Sequence, residues 1–264
     1  MKAIFLFLEN WDMREKVSRF ELKERLYRRR YVFPNLVTLA NLFCGFLAII
    51  YATSFRFNQA VFALLLAIIL DGLDGRVARR LNATSRFGLE LDSFSDLVSF
   101  GVAPAILMYR WCFLSVADEF GVMVCFVYVI AAALRLARFN ISAENLISFQ
   151  GLPSPAAAFA VAALVFSAPR MNPSFFILIA CTFFMLITAF LMISNLKFIS
   201  VKTLKLSNVR GVGVVLLGSL IALLWYIPRV GLLLVAALYM CSGLISLTRF
   251  HALKKEEAKI RTII

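Results

Sequence analysis

Acidic side chains cluster in one otherwise apolar part of the chain. Five of them fall within a window of 26 residues: Asp71, Asp74, Glu90, Asp92 and Asp96. An aspartate near the centre of a transmembrane helix costs roughly 2.5–3.5 kcal/mol on insertion scales, so such a cluster needs positive charge beside it. Carboxylate oxygens suit Mg²⁺, Mn²⁺ or Ca²⁺, whereas zinc would recruit His or Cys. The pattern predicts a divalent-metal site, with two ions facing a phosphate as the simplest charge balance.

The spacing of these residues places them on two neighbouring helices. At about 100° per residue, one arc of the first helix holds two aspartates and two small residues: Asp71, Asp74, Gly75 and Ala78. The second helix carries a stripe at i, i+4 and i+8: Gly88, Asp92 and Asp96. Because the connection 81–87 is short, we expect the helices to be antiparallel and the four aspartates to converge.

Basic residues gather at the same edge of the predicted membrane: Arg76, Arg79, Arg80 and Arg86. Guanidinium groups bind phosphate oxygens well, so these arginines could hold an anionic substrate. A purely structural network of ion pairs between the aspartates and Arg76 or Arg79 is the alternative. The small residues beside the aspartates favour the site, because an ion pair does not need them. Glu90 lies off the stripe and is expected at the interface.

The composition is that of a polytopic membrane protein. Of the 264 residues, 62% are apolar and only 16% are charged, and the mean hydropathy is +0.86. These values exclude an ordinary soluble domain, a disordered chain and a disulfide scaffold. The net charge of +13 lies beside apolar runs, which indicates anionic lipid headgroups as partners and no nucleic acid. The five cysteines show no C-x-x-C spacing and are interpreted as packing residues.

Eight apolar stretches are each close to the ~20 residues that span a bilayer. They lie at about 34–54, 58–80, 88–109, 120–137, 153–169, 173–194, 209–227 and 230–248. With the N-terminus inside, 24 of the 28 Lys and Arg residues fall on the cytosolic side. The positive-inside rule therefore predicts both termini in the cytosol. We expect a multi-pass protein of the cytoplasmic membrane of a prokaryote, with the site facing the cytosol.

The fold class predicted is thus all-α, a membrane helical bundle of about eight transmembrane helices. Four parts are expected along the chain: a basic amphipathic N-terminal segment over 1–33, a catalytic membrane core over 34–200, two additional helices over 201–248 and a charged cytosolic tail over 249–264.

The acidic segment matches a known motif. It resembles the D-x-x-D-G-x-x-A-R…G-x-x-x-D-x-x-x-D signature of the CDP-alcohol phosphotransferases, and all eight fixed positions between Asp71 and Asp96 are occupied. Other segments are similar to the integral-membrane phosphatidylserine synthases within that family: Pro34–Gly45, Leu134–Asn140, Gly151–Pro155 and Ser194–Phe198. The resemblance covers roughly residues 30–200. It implies a six-helix catalytic core, with the last two helices as an addition.

The resemblance also implies roles for individual residues. Asp71, Asp74 and Asp92 would be metal ligands, and Asp96 would contact a second metal and act as the base. Gly75 and Ala78 would let cytidine approach, whereas Arg79 and Ser85 would bind the diphosphate. Pro34, Asn35 and Thr38 would line the nucleotide pocket. The implied cofactor is Mg²⁺ or Mn²⁺, with Ca²⁺ as another possibility, and homodimers are usual in the family.

The implied reaction transfers the phosphatidyl group of CDP-diacylglycerol to L-serine, releasing CMP. Arg135 and Arg138 either anchor a helix end or bind the serine carboxylate or a lipid phosphate, and Lys197 either anchors the membrane edge or lines the substrate entrance. Glycerol 3-phosphate, inositol phosphate and choline remain alternative acceptors. A cation or proton transporter is the alternative from another class, although no inverted repeat is visible.

Overall fold

A computed structural model describes residues 33–80, 85–114, 118–142, 151–172, 174–196, 226–241 and 243. Within these ranges every regular element is helical. The helices are α1 (Phe33–Thr53), α2 (Phe57–Arg80), α3 (Arg86–Phe113), α4 (Asp118–Ser142), α5 (Ser154–Ser167), α6 (Phe175–Ile193) and α7 (Pro228–Cys241).

Four of these helices are long and apolar enough to cross a membrane, namely α1, α3, α4 and α6. The prediction of an all-helical, multi-pass membrane protein is therefore confirmed. Helices α1 to α6 each lie within a few residues of one of the first six predicted stretches. Residues 1–32, residues 209–225 of the seventh predicted span and the whole tail 249–264 fall outside the described residues, so the count of eight stays a prediction.

Helix α1 presents one polar and small-residue face to the bundle and a lipid-facing side of large apolar residues. The buried face carries Thr38, Asn41, Cys44, Ala48 and Ala52. At the other end of α1, the Arg110 guanidinium donates to the Thr53 carbonyl at 2.7 Å and stacks 4.3 Å above the Phe55 ring. Because the last carbonyls of a helix have no partner inside it, this contact stabilises the end of α1.

Helix α3 is continuous but contains two π-helical stretches, over Leu97–Val102 and Tyr109–Phe113. Pro104 lies two residues after the end of the first stretch, and a proline removes one amide donor and crowds the carbonyl four residues before it. A wider turn relieves that clash without ending the helix. The sequence pattern indicated the helix, which ends four residues beyond the predicted boundary, but not these turns.

Helix α5 lies at the centre of the bundle. Its buried residues are small and lie on several sides of the helix: Ser154, Ala157, Ala158, Ala160, Val161, Ala162, Ala163 and Val165. The segment before it docks on the end of α6, since Gly151 N donates to Leu196 O at 2.8 Å and Leu152 N to Leu191 O at 2.9 Å. Gly151 has a φ of +85°, a conformation that glycine adopts without strain. This turn fixes the position of Ser154.

Candidate active site

The predicted aspartates converge where α2 ends and α3 begins. Carboxylate oxygens of Asp71, Asp74 and Asp92 all lie within 4.8 Å of one another. Asp96 is not one of these three; it lies one turn after Asp92 on α3, in the electrostatic field of Asp71 and Asp92. Asp74 is buried and the other three are half-buried. The antiparallel pairing of α2 and α3 thus brings together residues from positions 71 to 96.

The chemistry of this cluster fits divalent cations. Two carboxylates at 4.8 Å repel each other by roughly 3 kcal/mol at an effective dielectric constant of about 20. Oδ1 of Asp92 and Oδ1 of Asp96 are both buried, and neither has a hydrogen-bond partner in the part of the chain that the structure describes. Buried acceptors that lack donors need a compensating charge, and hard oxygen ligands are those that Mg²⁺ and Mn²⁺ prefer. Asp71, Asp74 and Asp92 are the residues placed to hold such an ion.

Helix α1 orients the buried carboxylate of Asp74. The Thr38 hydroxyl lies 3.2 Å from Asp74 Oδ2, to which it can donate, and Gly75 N donates to Asp74 Oδ1 at 2.5 Å. Each carboxylate oxygen of Asp74 therefore accepts one hydrogen bond and keeps a second lone pair free. Partners of this kind fix the direction in which a metal-binding carboxylate points.

Two serines on α3 tie this helix to α1. Ser95 Oγ donates to Thr38 O at 3.1 Å, and Ser99 Oγ donates to Asn41 O at 3.1 Å. One turn further, a Cβ at Gly45 would lie only 2.8 Å from Ser99 Cα. The backbones of α1 and α3 thus approach closely, which holds Thr38 at a fixed distance from the aspartates.

A polar group surrounds the first turn of α3. Ser85 caps the helix, and its hydroxyl accepts from Gly88 N at 3.0 Å. A Cβ at Gly88 would meet Asn35 Oδ1 at 3.0 Å and Ser85 Oγ at 3.1 Å, so only glycine leaves these three residues room. The Ser85 hydroxyl keeps its proton for another acceptor, and the start of a helix favours anions. Pro34, one residue before Asn35, is buried.

Arg135 reaches the cluster from α4. Its Nη1 donates to Ser154 Oγ at 2.6 Å, at the start of α5. Its Nε is buried and has no hydrogen-bond partner among the described residues, and the guanidinium lies in the electrostatic field of Asp96 and Asp71. A charged group with an unused donor therefore faces the same part of the bundle as the carboxylates.

The other predicted basic residues lie elsewhere or outside the described residues. Arg138 is exposed, and its Nη1 donates to the Ile193 carbonyl at 3.5 Å. Arg76, Arg80 and Arg86 are exposed on the helix surfaces, as is the acidic Glu90. Ala78 and Arg79 belong to α2, but their side chains are outside the described set, as is the whole of Lys197.

Sequence reasoning did not identify four polar residues around this site: Asn41, Ser95, Ser99 and Ser154. The i, i+4 spacing of the two serines, each three residues after an aspartate, was the available signal for a polar face on α3. Nothing in the spacing of Ser154 indicated that it would bind Arg135, because they lie on different helices, 19 residues apart in sequence.

The fold and the site define a multi-pass helical membrane protein with an acidic site between two adjacent helices. Residues 31–194 match the CDP-alcohol phosphatidyltransferase family. That match covers more than half of the chain and includes all four aspartates. The chain therefore belongs to the CDP-alcohol phosphatidyltransferase family.

Relatives within the family have more specific names. A CDP-diacylglycerol–serine O-phosphatidyltransferase of Helicobacter pylori strain J99 is 48% identical over 130 residues, which are 48% of this chain and 54% of that protein. The enzyme of the same name from Bacillus subtilis strain 168 is 38% identical over 165 residues, 62% of this chain and 88% of its own. An archaetidylserine synthase of Methanothermobacter thermautotrophicus is 35% identical over 170 residues, 62% and 68% respectively. This chain spans about half the length of the Helicobacter relative.

Proposed function

We propose that this protein transfers the phosphatidyl group of CDP-diacylglycerol to the hydroxyl of L-serine, giving phosphatidylserine and CMP. The observation that carries the proposal is the acidic cluster, together with the half-buried Arg135, whose Nε is buried and has no hydrogen-bond partner among the described residues. The names of the relatives from Helicobacter and Bacillus support the same reaction.

The aspartates divide into two roles. Asp71, Asp74 and Asp92 hold the divalent metal, for which we propose Mg²⁺ or Mn²⁺ and up to two ions. When bound, the metal supplies positive charge that polarises the diphosphate and stabilises the departing CMP. Asp96 has a buried oxygen without a donor, so it accepts the proton of the serine hydroxyl. The serine oxygen then bonds to the phosphorus of the phosphatidyl group, and the bond from that phosphorus to CMP breaks.

The polar start of α3 suits the diphosphate. We propose that Ser85 donates its free hydroxyl proton to a phosphate oxygen and that Asn35 contributes its amide nearby. Thr38 and Pro34 line the same side of the pocket from α1. Gly75 and Ala78 lack bulk on α2 and leave space for the cytidine, and Arg79 is proposed to bind the diphosphate.

The acceptor follows from the charge available. Among the described side chains, Arg135 is the basic group that combines a buried unpartnered donor with proximity to the aspartates. A guanidinium matches one carboxylate with two parallel hydrogen bonds. Acceptors that carry a phosphate dianion would call for more positive charge at this place. An amino acid with a single carboxylate therefore fits better than glycerol 3-phosphate or inositol phosphate.

The topology and assembly are proposed with the function. We infer eight spans with both termini in the cytosol, a catalytic core over 34–200 and two added helices over 201–248. The basic residues around the predicted spans support this orientation in the cytoplasmic membrane. A homodimer is proposed from the family resemblance. Reporter fusions placed after residues 56 and 200 test the orientation, because the first should report the outside and the second the cytosol.

A panel of acceptors tests the reaction. Purified protein in detergent is given CDP-diacylglycerol and Mn²⁺ or Mg²⁺ with serine, glycerol 3-phosphate, inositol phosphate or choline, and both the lipid product and CMP are measured. We expect equal amounts of phosphatidylserine and CMP with serine and little product with the others. Preferential use of another acceptor would overturn the proposed specificity. A lack of product with every acceptor would overturn the reaction.

A further inference from the structure

A buried amide on α1 has no partner. Asn41 is 0% exposed, and neither its Nδ2 nor its Oδ1 makes a hydrogen bond within the described residues. Its backbone carbonyl is occupied by Ser99, but the side chain is not. An amide carries two donor protons and one acceptor oxygen. Because a buried polar group without partners is strongly unfavourable, this side chain is expected to meet a polar ligand.

A buried apolar cluster one helical turn from Asn41 shows where this side chain lies in the bundle. The cluster takes one residue from each of four helices: Cys44 from α1, Ala67 from α2, Phe100 from α3 and Ala158 from α5. Each of these residues lies about one helical turn beyond a polar residue of its own helix. Those polar residues are Asn41, Asp71, Asp96 and Ser154.

These four polar residues therefore form one layer, closed from below by the apolar cluster. Asp96 lies in the electrostatic field of Asp71 in this layer, and Ser154 holds Arg135 at its edge. Above it, toward the helix ends, Thr38 contacts Asp74. Asn41 thus lies at the floor of the site, on the side formed by α1.

The geometry points to Asn41 as a specificity-determining residue for the acceptor, whose Oδ1 accepts a hydrogen bond from the ammonium group of an amino acid. This inference rests on the proposed function and adds a second contact to it. Arg135 would bind the carboxylate from α4, and Asn41 would bind the ammonium from α1. A hydroxyl on the same small molecule would then lie near Asp96.

Acceptor analogues separate the two contacts. Serinol keeps the ammonium and lacks the carboxylate, whereas 3-hydroxypropionate keeps the carboxylate and lacks the ammonium. KM for serine and the inhibition constants of both analogues are measured for the wild type, Asn41→Leu and Arg135→Gln. A hydrogen bond to a charged group corresponds to about 10- to 100-fold in affinity. We expect Asn41→Leu to weaken the binding of serine and serinol by that factor and to leave the binding of 3-hydroxypropionate unchanged.

Arg135→Gln should give the converse pattern: weaker binding of serine and 3-hydroxypropionate, and unchanged binding of serinol. Stability in detergent without substrates supplies a second readout. Leucine branches at Cγ as asparagine does and leaves no polar atom unpaired, so Asn41→Leu should unfold at the same temperature as the wild type or higher. Thr188→Val is the control, because it also replaces a fully buried polar side chain, one whose hydroxyl donates to carbonyls of its own helix; it should leave KM for serine unchanged.

Two results would overturn the inference while the wild type still uses serine. One is an unchanged KM for serine in Asn41→Leu, as expected if the amide only binds water. The other is an equal loss for all three compounds together with a lower unfolding temperature, as expected for a structural role. If the wild type does not use serine at all, the proposed function fails first and the inference fails with it.

Discussion

Replacing Thr38 by valine should weaken metal-dependent activity without disturbing the fold. Valine has almost the same shape as threonine but lacks the hydroxyl that lies 3.2 Å from Asp74 Oδ2. The Thr38 side chain is buried, so water does not readily replace the lost donor. Asp74 would keep only the contact from Gly75 N and could turn away from the direction in which it binds an ion.

The size of the effect follows from the kind of hydrogen bond. A bond to a charged group contributes about 1.5–3 kcal/mol, and 1.4 kcal/mol is a factor of ten in affinity. Loss of a partner that orients a metal ligand typically costs 10- to 100-fold. The Thr38 hydroxyl also lies 3.2 Å from Pro34 O, so its proton is shared and the lower part of the range applies. We expect the Mn²⁺ concentration for half-maximal activity to rise about 10-fold.

The assay is a Mn²⁺ titration of CMP release by protein that was first treated with a chelator. Thr188→Val is a matched control, because Thr188 is also 0% exposed and its hydroxyl donates to carbonyls of its own helix, Phe184 O and Met185 O. That variant should show the wild-type titration. If Thr38→Val also titrates like the wild type, α1 does not orient Asp74 and the reasoning is refuted.

Three further substitutions test the site and the packing around it. Gly45→Ala should destabilise the protein by about 1–3 kcal/mol, as overpacking typically does, because the new Cβ would lie 2.8 Å from Ser99 Cα; thermal unfolding in detergent measures this. Gly72→Ala is its control, since nothing lies within 4 Å of that Cβ, and equal effects of both would contradict the close approach of α1 and α3. Gly151→Ala should lower stability as well, since φ is +85° there, and a neutral result would mean that the turn does not need glycine. Asp96→Asn should abolish CMP release while the unfolding temperature is retained, and near-normal turnover would remove Asp96 as the base.

Most of the architecture could be predicted from hydropathy, because a helix in lipid must be both apolar and about 20 residues long. The convergence of the aspartates was also predictable: the i, i+3 and i, i+4 spacings put them on one face of each helix, and a short connection makes the helices neighbours. Asp71 and Asp92 show this most directly, since they lie 21 positions apart in sequence and share a site.

Contacts between distant helices could not be predicted in the same way. The pairing of Arg135 with Ser154 depends on how Gly151 and Leu152 dock on the end of α6, and a single sequence does not report that packing. Asn41 follows the same rule: its type is visible, but its complete burial and lack of partners follow only from the positions of α2, α3 and α5. The two π-helical stretches of α3 were not predicted either, because a proline such as Pro104 usually kinks or ends a helix and does not by itself indicate a widened turn.

Binding of Mn²⁺ to the purified protein tests the central claim most directly, namely that carboxylates of α2 and α3 together hold divalent cations. The free ion is followed by electron paramagnetic resonance during a titration, with the wild type beside Asp92→Asn and an exposed control, Glu90→Gln. We predict up to two bound ions per chain in the wild type and in Glu90→Gln. In Asp92→Asn we predict fewer bound ions or much weaker binding. Equal binding by all three proteins would contradict the assignment of this cluster as the metal site.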